Sequence, residues 1–183
     1  MLLLHYYGHG SDGGKQFERW FKPLSEAGYR CLAPSFPGHG NTPGKVSGKP
    51  DPAVLAEGPC KFVTQLLHHF GIRKLAIILG YDWGGGVAME YAIRHSARVG
   101  AVVGWSISHR DETRMAKLKR RYSSQKRALF LAQKNSLVHP LRKQQRHAAA
   151  CGMEPVCVKD DDGALKEVLA FAKSCIVLPI GLL

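Results

Sequence analysis

At 183 residues, with 45% hydrophobic and 22% charged positions, the chain has the length and composition of one ordinary domain, 1–183, which excludes a disordered tract and leaves enough apolar material for a real core. Its apolar runs fall far short of the roughly 20 residues that span a bilayer, so no membrane partner is expected. The net charge of +12 is concentrated: residues 110 to 146 carry 12 Lys and Arg against 2 Asp and Glu. Aromatic residues are sparse there (Tyr122, Phe130), so a solvated helical face is expected and a nucleic-acid partner is not.

Met1 to Leu4 runs straight into His5-Tyr6-Tyr7-Gly8, and the apolar stretch from Cys175 is short and broken by Pro179 and Gly181. Neither pattern is that of an export signal. Five cysteines, an odd number with no Cys-x-x-Cys and no paired histidines at zinc spacing, fit reduced thiols in a cytoplasmic protein. No metal and no cofactor is expected.

In chain order, Leu2 to Tyr6 reads as a buried strand, followed by a glycine-rich turn (Gly8, Gly10, Gly13, Gly14) and a helix with Phe17, Trp20, Phe21 and Leu24 at helical spacing. Tyr29 to Ala33 reads as a second short strand, and Pro34 to Pro52 as a Pro/Gly-dense surface loop. A helix is expected over Val54–Phe70, a strand over Leu75–Leu79, a helix over Val87–His95 and a strand over Val99–Ile107. The basic segment Asp111–Gln125 reads as helical, Arg127–Ala132 as a strand and Leu141–Ala150 as a helix. Val156–Val158 and Ala164–Ser174 complete the series as strand and helix. Apolar strands alternating with helices predict an α/β fold, a mostly parallel, doubly wound sheet with helices on both faces.

The segment that carries chemistry is Gly80-Tyr81-Asp82-Trp83-Gly84-Gly85. A reactive side chain on a sharp strand-to-helix turn needs small residues two before and two after it, because the backbone passes close to itself there; Gly80 and Gly84 occupy those places. The turn presents Asp82 at the carboxyl edge of the sheet, at a helix N-terminus that favours an anion.

That run, with His5 and the glycine-rich loop after the first strand, resembles the α/β-hydrolase superfamily. Asp followed by Trp-Gly-Gly resembles its epoxide hydrolases and haloalkane dehalogenases, whose nucleophile is aspartate, and Pro37-Gly38-His39-Gly40 resembles the loop after the next strand. The resemblance implies a hydrolase acting on a small molecule, an epoxide or alkyl halide, through an alkyl ester on Asp82. It implies oxyanion donors at the backbone of Trp83 and of Tyr6 or Tyr7, within a segment opened by His5. The Trp83 indole would either bind a leaving halide or pack in the core.

The chain departs from that pattern in several ways. No histidine follows His147, and Lys159-Asp160-Asp161-Asp162-Gly163 stands where the resemblance places the catalytic histidine. His139 and His109, each after a strand, are the candidate substitute bases. Asn135 stands where the acid is expected, with Asp111 or Glu112 as alternatives. The stretch from Ile107 to Arg127 is too short for a helical cap, and no antiparallel hairpin precedes the first strand, so a reduced, cap-less or truncated member is expected. Two readings stand: a small hydrolase using Asp82, and a binding protein or fragment of the same fold without its general base. A third, an adaptor built on the basic segment, predicts binding that weakens steeply with salt.

Overall fold

A computed structural model describes residues 1–8, 10–44, 58–107, 112–122, 127–136, 139–150 and 153–176. Five strands run in parallel in the spatial order of the sequence: β1 (Leu2–Leu4), β2 (Leu75–Tyr81), β3 (Val99–Trp105), β4 (Ala128–Gln133) and β5 (Val156–Val158). Leu2 pairs with Ile78, Leu79 with Val103, Val103 with Leu129, and Ala132 with Cys157. The helices are α1 (Gly13–Gln16), α2 (Glu18–Glu26), α3 (Gly58–His69), α4 (Trp83–Arg94), α5 (Glu112–Tyr122), α6 (Leu141–Ala150) and α7 (Asp161–Ile176).

Side chains alternate across the pleat, so strands β1 to β4 feed two separate cores. On one face Leu2, Leu4, Ile78, Val102 and Phe130 pack with Val63, Leu67, Val87, Tyr91, Leu118 and Ala148 from α3 to α6. On the other, Leu3, Ile77, Leu79, Val103 and Leu131 pack with Trp20, Leu24, Val168 and Ala172 from α2 and α7. A sheet covered on both faces explains strands that are apolar at nearly every position.

Several boundaries differ from the sequence expectation. The expected strand at Tyr29–Ala33 is reduced to one bridge, Leu32 beside Leu2, where Leu3 donates to the Leu32 carbonyl (2.8 Å) and Leu32 to that of Met1 (3.0 Å). Pro34, which has no N–H to donate, follows two residues later. The helix with Phe17 to Leu24 is two pieces, α1 and α2, meeting at Phe17. The helix expected from Val87 begins at Trp83, taking in Gly84, Gly85 and Gly86 despite glycine's poor helix propensity. α7 begins at Asp161, where Asp160 accepts from the Gly163 N–H at 2.9 Å. Leu32 lies outside β1, whereas β2 lies on its other side. The direction of winding therefore reverses between β1 and β2, and in open parallel sheets the crevice above such a reversal is where ligands bind.

Candidate active site

The loop after β1 and the turn after β2 meet at that crevice. Asp82 bridges β2 and α4 with φ 51° and ψ −115°, a left-handed conformation that a non-glycine residue adopts at a cost of order 1–3 kcal/mol. The glycines show what enforces it. A Cβ on Gly80 would sit 2.0 Å from the Gly84 carbonyl oxygen, and one on Gly84 would sit 2.3 Å from that of Leu4. The elbow is therefore locked onto β1 by backbone contacts that no side chain tolerates. Asp82 donates its N–H to the Trp105 carbonyl (2.8 Å), and its own carbonyl accepts from Gly86 (3.2 Å), so the turn is held on both sides.

The carboxylate of Asp82 meets the imidazole of His139, Oδ1 against Nε2. Both side chains are mostly covered, with 21% of Asp82 and 14% of His139 exposed. His139 comes from the loop after β4. Its N–H donates to Ser136 Oγ (3.1 Å), and its carbonyl accepts from the Gln144 amide (2.6 Å). Its remaining ring nitrogen, Nδ1, is buried and has no hydrogen-bond partner among the described residues.

Asn135, expected to orient that ring, is exposed in the turn after β4 and does not reach Nδ1. The turn directs the residue outward while Ser136, one position later, turns inward. His109 and Asp111 lie outside the described residues, as does the side chain of Glu112.

His5, expected on the oxyanion side of a pocket, is instead fully buried, and both ring nitrogens are used. Nε2 accepts from the Phe36 N–H (2.9 Å), which leaves the proton on Nδ1 to be donated to the Tyr6 carbonyl (2.6 Å). Burial pushes its pKa down. Both bonds tie the ring to backbone on either side of the cleft-lining loops. The Tyr6 N–H, an expected oxyanion donor, is bonded to Gln16 Oε1 (3.2 Å). The Trp83 N–H opens α4 and takes no acceptor among the described residues, so it remains the donor that faces the elbow. The Trp83 ring packs edge-on against Phe36 (4.6 Å) and Tyr7 (5.6 Å), and its indole N–H is buried without an acceptor among the described residues.

Beside these rings lies a cleft of about 350 Å³, lined by residues that include Tyr7, Lys15, His39 and Asn41. No group of three or more His, Cys, Asp or Glu among the described residues is arranged to hold a metal ion. No helix among them is long and apolar enough to cross a membrane.

Sequence reasoning missed Ser136, Gln144 and Phe36 as partners of the two histidines. Gln144 carried a readable signal, since it shares with Ala148 the i, i+4 face that α6 buries. A polar side chain on an apolar face needs partners.

The sequence comparison gives the family, and the solved structures share the fold. The chain matches the alpha/beta hydrolase fold family over residues 1–152, and it belongs to that family. Among curated relatives, a 2-hydroxy-6-oxononadienedioate/2-hydroxy-6-oxononatrienedioate hydrolase from Cupriavidus pinatubonensis is 34% identical over 107 residues, covering 56% of this chain and 34% of that protein. A 2-hydroxy-6-oxo-6-phenylhexa-2,4-dienoate hydrolase from Burkholderia cepacia is 29% identical over 103 residues, with the same coverage of both chains. The match thus spans about a third of the length of these relatives.

Two solved structures share the fold at 16% identity. A predicted CIB-like hydrolase from Thermoplasma acidophilum aligns with a TM-score of 0.76, covering 94% of this chain and 86% of the other. A meta-cleavage product hydrolase from Pseudomonas fluorescens IP01 aligns with a TM-score of 0.71, covering 94% and 90%.

Proposed function

We propose that this chain is a hydrolase of small organic molecules that works through a covalent ester on Asp82, with His139 moving the protons. The observation that carries the reading is the contact between the Asp82 carboxylate and the His139 imidazole at a strained strand-to-helix turn. The names of the relatives, hydrolases of oxo-dienoate acids, support a small-molecule substrate. The residue at the elbow argues for a different electrophile. A carboxylate attacking a carbonyl gives an anhydride-like adduct, whereas at a strained or halogenated saturated carbon it gives a stable alkyl ester. An epoxide or alkyl halide is the matching substrate class.

An ionised carboxylate only accepts hydrogen bonds, so Nε2 carries a proton while it contacts Asp82. In the first step Oδ2 attacks carbon, a C–O ester bond forms, and the epoxide C–O or carbon–halogen bond breaks with its electron pair on the leaving atom. The Nε2 proton passes to the leaving alkoxide, or to solvent when halide leaves. For this the ring starts doubly protonated and keeps the proton on Nδ1. In the second step the emptied Nε2 takes a proton from a water that attacks the ester carbonyl, and the Trp83 N–H stabilises the oxyanion. Collapse returns that proton to the alcohol, and the water's second proton, left on the Asp82 carboxyl, passes to Nε2, which restores the carboxylate and the doubly protonated ring.

The binding-protein alternative draws on two observations: Nδ1 of His139 lacks a partner among the described residues, and the Tyr6 N–H is already bonded. Both weaken the second step, and neither touches the attack of the carboxylate on carbon. With styrene oxide as probe, intact-mass spectrometry should show one adduct on Asp82, absent in Asp82→Asn. His139→Ala should accumulate it, because loss of a general base slows the second step by about 10²–10⁴-fold. Hydrolysis that persists in Asp82→Asn would overturn the covalent reading. Absence of both adduct and turnover in the unaltered chain would favour the binding protein.

A further inference from the structure

We infer that Gln144 positions His139, supplying through the backbone the orientation that an acid behind the ring would otherwise provide. The inference rests on the Asp82–His139 reading but concerns a different residue, one that touches neither substrate nor reacting atoms.

Gln144 is 3% exposed, on the inner face of α6. Its amide makes three hydrogen bonds. Oε1 accepts from the Gln133 N–H (2.9 Å), and Nε2 donates to the carbonyls of Gln133 (3.1 Å) and His139 (2.6 Å). One side chain therefore ties the last residue of β4 to the residue that carries the imidazole, closing the loop between them. Gln133 is fixed independently, since its own amide oxygen accepts from the Tyr81 hydroxyl (3.1 Å). On the other side of the His139 peptide, the N–H donates to Ser136 Oγ, which also accepts from Ser106 Oγ (3.3 Å).

Both main-chain groups of His139 are thus held, while its Nδ1 has no partner among the described residues. A ring anchored among them only at its far nitrogen takes its direction from the backbone that bears it. Removing the clamp should leave Asp82 intact as a nucleophile and move the acid and base. With a halide, which needs no proton to leave, the geometry points to a selective defect in the second step. A base displaced by about 1 Å can cost on the order of 10²-fold.

The test compares Gln144→Met, which keeps length and helix propensity but makes none of the three bonds, with Gln144→Glu, which keeps only the bond to the Gln133 N–H. Ser136→Ala, on a half-buried loop residue, serves as a third variant that should fold in any case. With 1-bromobutane, whose bromide leaves without a proton, the rate of Asp82 ester formation should stay within about 3-fold of the unaltered chain, and ester decay should slow by about 10²-fold in both Gln144 variants. A purely structural role would lower both rates together, or stability alone, and either result would overturn the inference.

Should the unaltered chain form no ester, the covalent reading fails and the clamp is still decided by crystal structures of Gln144→Met and Ser136→Ala. The imidazole should have left the Asp82 carboxylate in both. A ring unmoved in both would refute the clamp.

Discussion

Asp82 holds a backbone conformation that costs energy, and the contacts around it say where that energy comes from. Gly84 lies so close to the carbonyls of Leu4 and His5 that any Cβ would overlap them. Gly84→Ala should therefore destabilise the chain by about 1–3 kcal/mol or more, read by urea denaturation; an unchanged midpoint would mean that the elbow is not tightly held. His5 gives a second prediction. Unfolded, its ring takes a proton near the ordinary value of 6.5, but burial holds the folded ring below that. The unfolded state then binds more protons once pH falls below 6.5, so the stabilisation is fully present above that value and is lost progressively as pH drops toward the folded pKa. His95, whose pKa burial also lowers, adds to the same slope. The melting temperature should fall between about pH 8 and about pH 5, less so in His5→Asn, and an equal fall in the variant would contradict the assignment. Of these residues, Asp82 and its glycines were legible because the steric demand of the turn is local. The bonds of His5 to Phe36 and Tyr6 were not, because one partner is 31 residues away.

At the scale of elements, α4 shows why intrinsic propensity misplaces a helix start. Gly84, Gly85 and Gly86 weaken a helix in isolation, yet they fall in its first turn, where Gly84 and Gly85 lie so close to the strands below that a side chain would meet backbone. The Leu32 segment shows the converse: its apolar pattern suits a strand, but Leu32 alone pairs with β1. α6 was legible in length, while its polar clamp was not, since the partners of Gln144 are set by tertiary packing. α5 offers its own test. Tyr122 is 1% exposed and donates to the carbonyls of Ala92 (3.1 Å) and Val99 (3.4 Å), tying α5 to the end of α4 and the start of β3. Burial raises its hydroxyl pKa to about 12. Tyr122→Phe removes the donor and keeps the ring, so it should cost roughly 1–3 kcal/mol in equilibrium unfolding. A neutral substitution would show that the two carbonyls are satisfied otherwise.

Over the whole molecule, the parallel sheet and the reversal of winding beside β1 place the β1 loop, the elbow and the β4 loop at one edge. The fold was readable because alternation of apolar strands and helices is a property of the entire chain. The substrate class was less so. The sequence resemblance points to epoxide hydrolases and haloalkane dehalogenases, whereas the curated relatives described above are oxo-dienoate hydrolases matched over a third of their length. A single carboxylate at the elbow separates the two chemistries, because it decides whether the adduct is an ester of an alcohol or an anhydride. The direct measurement is intact-mass and peptide mass spectrometry of the chain after exposure to styrene oxide. The account predicts one adduct, located on Asp82, lost in Asp82→Asn and longer-lived in His139→Ala. An adduct elsewhere, or hydrolysis that survives Asp82→Asn, would contradict it.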